Sequence, residues 1–304
     1  MLLAPKDYVR SPEAAAARYT TAEAEAYTRW LATHHYENFQ VVSFLLPRRL
    51  HQDFYNVYSY CRWADDLGDE MGDRAESLRL LAWWRDQLEA MYAGEALHPI
   101  FVALRGTVTR HSIPKEPFGD LIRAFEQDQT VNRYATWEEL YGYCRNSANP
   151  VGRLVLYLCG YSDGERQRLS DATCTALQLA NFWQDVAVDL EKDRVYIPLE
   201  VMARHGYTLD ELNARRMTPA FREMMREIVA RAREFFAAGL PLSSMVDRRL
   251  ALDIDLFSRG GLRILHKIAA QDYDVLARRP AISKAERAWL LLVSLARLAL
   301  ARAA

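Results

Sequence analysis

Two short segments carry carboxylates at a spacing that suits divalent-cation chemistry. In Tyr58-Ser59-Tyr60-Cys61-Arg62-Trp63-Ala64-Asp65-Asp66-Leu67-Gly68-Asp69-Glu70, Asp65 and Asp69 are four residues apart and share a helix face. Arg62 precedes Asp65 by three and Asp66 by four, and Tyr58 precedes Arg62 by four. One stripe thus holds a phenol, a guanidinium and three carboxylates. Like charges at this spacing cost a helix a few tenths of a kcal/mol, and a bound divalent cation relieves that repulsion. Mg²⁺ takes oxygen ligands, typically one or two carboxylates completed by water and substrate phosphates. Taken alone, the segment reads equally well as a solvated acidic helix end, because short acidic motifs recur by chance.

The second segment repeats the design. Gln178, Asn181, Asp185 and Asp189 are spaced three, four and four, so they form one polar stripe. The residues between them, Leu179, Ala180, Phe182, Val186 and Val188, are apolar. An open solvent face does not need such flanks, so the carboxylates are expected to project into a cavity. Lys192 and Arg194 follow, placed to meet phosphate oxygens, and Pro198 ends the run. Two Asp-x-x-x-Asp stripes, each with a nearby arginine, are far less common by chance than one. The chemistry they suit is the neutralisation of a diphosphate leaving group from two sides, favouring ionisation of its carbon–oxygen bond. The carbocation left behind requires a dry pocket lined by aromatic rings.

The elements around these stripes read as helices throughout. Ser11-Pro12-Glu13 places a cap before a first-turn proline, and Thr20-Thr21-Ala22-Glu23 is a capping box opening a helix to about His35. A helix from about Arg48 to Leu67 carries the first stripe, and one from about Glu165 to Glu191 carries the second. Others are expected near 75–93, 96–111, 117–132, 137–159, 199–214, 217–238, 245–270 and 284–303, with a kink at Asn149-Pro150. Alternating Val/Ile/Thr runs bounded by turns are absent. Gly260-Gly261, inside a helical pattern, is better explained by close packing than by room for a long chain.

Composition agrees: half of the 304 residues are hydrophobic, and glycine (13) and proline (11) are scarce. No repeat or linker is visible, so one domain over 1–304 is the simplest account. The balance of 39 basic and 40 acidic residues gives no field for nucleic acid, so that partner is not expected. Four cysteines without a Cys-x-x-Cys pair read as reduced thiols. Met1–Tyr19 lacks a signal-peptide core, and no run reaches the ~20 apolar residues of a membrane span. A cytoplasmic protein is expected. The amphipathic stretch Ala288–Leu300 keeps peripheral membrane contact open.

On Tyr58–Arg62 with Asp65–Asp69, and on Asn181-Phe182-Trp183-Gln184-Asp185 with Asp189 and Arg194-Val195-Tyr196, the chain resembles the squalene and phytoene synthases. The likeness runs from about Tyr36 to Lys284. It implies an all-α, single-domain isoprenoid-synthase fold with a central substrate cavity and a core of about 36–284. It also implies Mg²⁺, in unstated number, and a prenyl diphosphate substrate. Asp65, Asp69, Asp185 and Asp189 are the implied metal ligands, with Asp66, Tyr58 and Arg62 also in the catalytic set. Asn38, Phe39, Tyr143, Gln178, Asn181, Arg194, Tyr196 and Tyr273 are the implied substrate contacts. Packing is an equally good account of the tyrosines taken singly.

Two departures narrow the likeness. The family's Ser-x-Ser-Phe is Tyr36-Glu37-Asn38-Phe39, where Asn38 can still donate to a phosphate oxygen. Its Val-Ala-Gly-x-Val-Gly is Ser147-Ala148-Asn149-Pro150-Val151-Gly152, more polar and kinked. Both resemble the bacterial hopanoid-pathway branch, whose activity is hydroxysqualene synthesis: presqualene diphosphate ionises and water quenches the rearranged cation. The polar kink would suit water delivery. No Gly-x-Gly-x-x-Gly follows a strand, and NADPH is not expected. Two alternatives stay open. One is a condensing enzyme making presqualene diphosphate, squalene or phytoene from two prenyl diphosphates such as farnesyl diphosphate. The other is a non-catalytic assembly relative. Other pathway enzymes are further candidate partners.

Overall fold

A computed structural model describes residues 2–34 and 47–300, with backbone only for Ala15 and 297–300. Asn38 and Phe39 lie outside the described residues. The helices are α1 (Pro5–Tyr8), α2 (Pro12–Ala16), α3 (Thr21–His34), α4 (His51–Asp69), α5 (Arg74–Tyr92), α6 (Pro99–His111), α7 (Glu116–Asp128), α8 (Trp137–Ser147), α9 (Asn149–Leu158), α10 (Gly164–Glu191), α11 (Leu199–Arg204), α12 (Leu209–Asn213), α13 (Pro219–Gly239), α14 (Arg248–Ala270) and α15 (Lys284–Leu300). Among the described residues there is no β-strand, only an isolated bridge between Arg133 and Val195. The expected all-α class is what the chain adopts.

Local signals act as read. Ser11 accepts from the Ala14 amide ahead of Pro12. Thr20 accepts from the Glu23 amide, and the Glu23 carboxylate accepts from the Thr20 amide at 2.8 Å. At Asn149-Pro150 the expected kink is a full break: α8 ends at Ser147 and α9 starts at Asn149, with Pro150 in its first turn. There its missing amide costs nothing. All four cysteines are free thiols. No helix among the described residues is long and apolar enough to cross a membrane.

The chain divides into two compact units, 1–130 with 150–163, and 131–149 with 164–304. The first unit is built around α4, whose Tyr60, Trp63, Ala64 and Leu67 recur at helical spacing and are fully buried. Trp63 stacks on Trp84 of α5 at 5.1 Å between ring centres, and Tyr60 donates to the Phe118 carbonyl at 2.9 Å. A buried polar chain runs from Thr28 through Asn56 and Thr107 to Asp53, tying α3, α4 and α6 together.

The second unit is built around α10, which packs on α13 and α14 through two glycines. A β-carbon on Gly239 would lie 2.2 Å from the Thr173 hydroxyl. One on Gly261 would lie 2.3 Å from Phe236 and 3.1 Å from Leu177. Gly261 is therefore a packing glycine, as its place in a helical pattern implies.

Candidate active site

On α4 the face opposite the aromatic core carries Tyr58, Arg62, Asp65, Asp66 and Asp69. The helix end is pinned by the Gly68 carbonyl, which accepts from Ser77 of α5 and from Gln129 after α7, each at 3.1 Å. Burial grades along the stripe: Asp66 is buried, Tyr58, Arg62 and Asp65 are half-buried, and Asp69 is exposed. Arg62 donates to Asp65 at 3.3 Å and to Glu70 at 3.1 Å. Its guanidinium also comes within 2.6 Å of Asp66. Burial pushes the Asp66 carboxyl up to about 7 although Arg62 opposes it. Removal from water therefore outweighs the one nearby cation.

On α10 the second stripe stands on a fully buried Trp183 set edge-on to Trp137 at 6.1 Å. Gln178, Asp185 and Asp189 are half-buried and Asn181 is exposed. Burial, and then the neighbouring Asp185, raise the Asp189 carboxyl to about 6 against the pull of Arg194, Lys192 and Arg279. The flanking Leu179, Ala180, Phe182 and Val186 are buried, whereas Val188 is 40% exposed.

Asp189, Arg194, Phe182 and Tyr196 line one recess. Its aromatic wall is close-packed. Phe182 stacks on Tyr196 at 3.8 Å, and Tyr143 and Tyr134 lie 5.9 and 5.7 Å from Tyr196. The strap after α10 is held by the Val195 amide donating to the Asn132 carbonyl at 2.9 Å. The predicted Tyr143, Tyr196, Arg194 and Asp189 are thus brought together from α8, α10 and the strap. Tyr273 is placed otherwise: it follows α14 with a positive φ of 62°, its ring beneath Arg226 at 5.4 Å.

Asn149, read from sequence as a polar kink residue, is buried, and its side-chain carbonyl accepts from Thr175 at 3.0 Å. Two further contributors have no local signal. Arg279 grips Asp185 with both its Nε and Nη2 atoms, the latter at 3.1 Å, from 94 residues away. The Gln184 amide donates to the Pro280 carbonyl at 2.6 Å and so holds the Arg279 loop on α10. The sequence shows only an Arg278-Arg279 pair before a proline. Tyr134 was likewise not singled out by type or spacing.

The donor set on both stripes is carboxylate oxygen, which is hard-cation chemistry. Among the described residues no three acidic, histidine or cysteine side chains converge on one point.

Residues 32–286 match the family model described as squalene/phytoene synthase. A phytoene synthase of Thermus thermophilus is 33% identical over 258 residues, 84% of this chain and 87% of that one. A hydroxysqualene synthase of Rhodopseudomonas palustris is 34% identical over 244 residues, covering 79% and 82%. The crystal structure of the squalene synthase HpnC from Alicyclobacillus acidocaldarius superposes with a TM-score of 0.80 at 46% identity, over 83% of this chain and 95% of that one. The family that these matches define is one of prenyltransferase-type enzymes. The chain belongs to the squalene/phytoene synthase family.

Proposed function

We propose that the chain is a hydroxysqualene synthase. The carbon–oxygen bond of presqualene diphosphate breaks, with both electrons leaving on the diphosphate. The cation rearranges, a water oxygen bonds to carbon, and the water's proton passes to solvent. The observation that carries this reading is the repeated stripe: two helices each present aspartates four apart, with an arginine held on a carboxylate. In this reading Asp65, Asp69, Asp185 and Asp189 hold Mg²⁺, which supplies neutralisation of the leaving diphosphate. Arg62, Arg194 and Arg279 take phosphate oxygens. The rings of Phe182, Tyr143 and Tyr196 supply the π-faces that a carbocation requires.

The polar Ser147–Gly152 segment and the 34% identity to the hydroxysqualene synthase of Rhodopseudomonas palustris support the hydroxylating reaction. The condensing alternative rests on the phytoene synthase of Thermus thermophilus, which is about as similar as the hydroxysqualene synthase. The deciding experiment supplies presqualene diphosphate and farnesyl diphosphate separately with Mg²⁺ and reads products by mass spectrometry. Hydroxysqualene from the first and little product from the second is the expected result. Efficient turnover of farnesyl diphosphate alone selects the condensing reading. The double variant Asn149→Gly with Pro150→Ala is expected to change the ratio of hydroxylated to other products, and an unchanged profile removes that segment from water delivery.

A further inference from the structure

Most exposed large hydrophobic side chains among the described residues are scattered, but Trp289, Leu292 and Leu295 share helix α15 and are 66%, 60% and 42% exposed. Their three-residue spacing puts them on one face, and Ala285, Ala288 and Ala296 on that face are also exposed. The opposite face fixes the orientation. Glu286 accepts from Arg263 and Lys267 of α14, each at 2.7 Å. Leu290 and Ser294 follow at four-residue steps, and Ser294 is fully buried. The outward face is thus apolar because the helix is docked, not because it has come loose.

Charge completes the pattern. Glu286 is the only carboxylate in Lys284–Leu300, and two cations on α14 neutralise it. Lys284 and Arg287 are exposed in the first turn. The outer surface of α15 therefore offers anions nothing to repel them. Tryptophan with leucine on one side and cations at the flank is the composition of a helix lying in a bilayer interface. A second copy of the chain fits less well. The three large side chains expose roughly 350 Å², by side-chain areas of the aromatic and aliphatic class. That is less than half of the ~800 Å² per partner that a stable interface buries.

We propose that the Trp289–Leu292–Leu295 face is a docking surface for an anionic lipid bilayer, with α15 lying in the plane of the interface. The surface is independent of which diphosphate the enzyme turns over, so its test does not depend on activity. The full chain is floated with vesicles of phosphatidylcholine, with and without phosphatidylglycerol. Flotation with the anionic vesicles is expected, weakened by salt. Trp289→Glu and Leu292→Glu should each reduce binding by about tenfold or more, with unchanged far-ultraviolet ellipticity. Lys284→Glu with Arg287→Glu should abolish the preference for anionic lipid. Brominated acyl chains should quench wild-type tryptophan emission more than that of Trp289→Phe, a change that keeps the fold. The proposal is overturned if wild type stays with protein-only fractions, or if both glutamate variants float as wild type does. It is equally overturned if sedimentation shows a dimer that Leu292→Glu dissolves while vesicles bind neither form.

Discussion

The two aspartate stripes look alike in sequence and differ in how each obtains its arginine. On α4 the cation is Arg62, one turn before Asp65 and Asp66 on the same helix. On α10 it is Arg279, delivered by a distant loop that Gln184 holds in place. The carboxylates differ too. Asp66 is nearly dry, with 3% of its side chain exposed against 14% for Asp185. The first arrangement is helix periodicity around a buried charge, and the second is tertiary assembly around an accessible one. A locally supplied cation that supports a buried carboxylate holds the fold as well as facing the diphosphate proposed above. A cation brought in by a loop to a wetter carboxylate can be exchanged for a ligand at little structural cost.

The largest expected effect breaks both stripes alike. Asp65→Asn and Asp189→Asn should each lower Mg²⁺-dependent turnover by about 10²–10³-fold, the scale of losing a preorganised electrostatic group. Circular dichroism should stay unchanged. A variant that keeps wild-type turnover would remove its stripe from the chemistry.

The arginines should then part company. Arg62→Ala leaves Asp66 buried without its cation and should cost about 1–3 kcal/mol in urea unfolding, less than a fully buried pair because Arg62 is partly wet. Arg279→Ala should cost under about 1 kcal/mol, as an exposed pair does, while raising KM for the diphosphate substrate. Equal stability losses in the two variants would erase the distinction drawn here.

A smaller effect sharpens the comparison by showing a carboxylate with no cation at all. Asp253 on α14 is 3% exposed, and neither of its oxygens has a hydrogen-bond partner. Burial, and then Asp247, raise it to about 7. A folded-state value above the unfolded one means that the protonated form is favoured in the fold. Stability should therefore fall as pH rises from about 4 to about 7 and level off above that. Asp253→Asn lacks this slope. Relative to wild type it should gain about 1–2 kcal/mol between pH 4.5 and pH 8, after discounting the full shift for local relaxation. Parallel unfolding curves at the two pH values would show that Asp253 is hydrated or paired in solution.

Much of this was legible without coordinates, and the failures are as instructive. The Thr20–Glu23 box, the Ser11 cap and the helices bearing both stripes follow from residue type and short spacing, because the hydrogen bonds involved close within one turn. The break at Asn149-Pro150 was visible as a defect, but whether a proline kinks or ends a helix depends on how the neighbouring segments pack. Gly261 could be read as a packing glycine. That Phe236 is what fills the space above it could not. Val188 was grouped with buried flanks by its apolarity, and the fold leaves it at the surface.

Sequence alone determined the helical class, the membership of each stripe and the pairing of Arg62 with its aspartates, since all three depend on interactions across three or four residues. Tertiary structure decided that Arg279 grips Asp185, that Tyr134, Tyr143, Phe182 and Tyr196 form one aromatic wall, and that Trp289 faces outward. Each joins residues far apart in the chain, or sets one helix face against another. Such choices are settled by which surfaces exclude water together, a quantity that belongs to the packed chain and to no local segment of it.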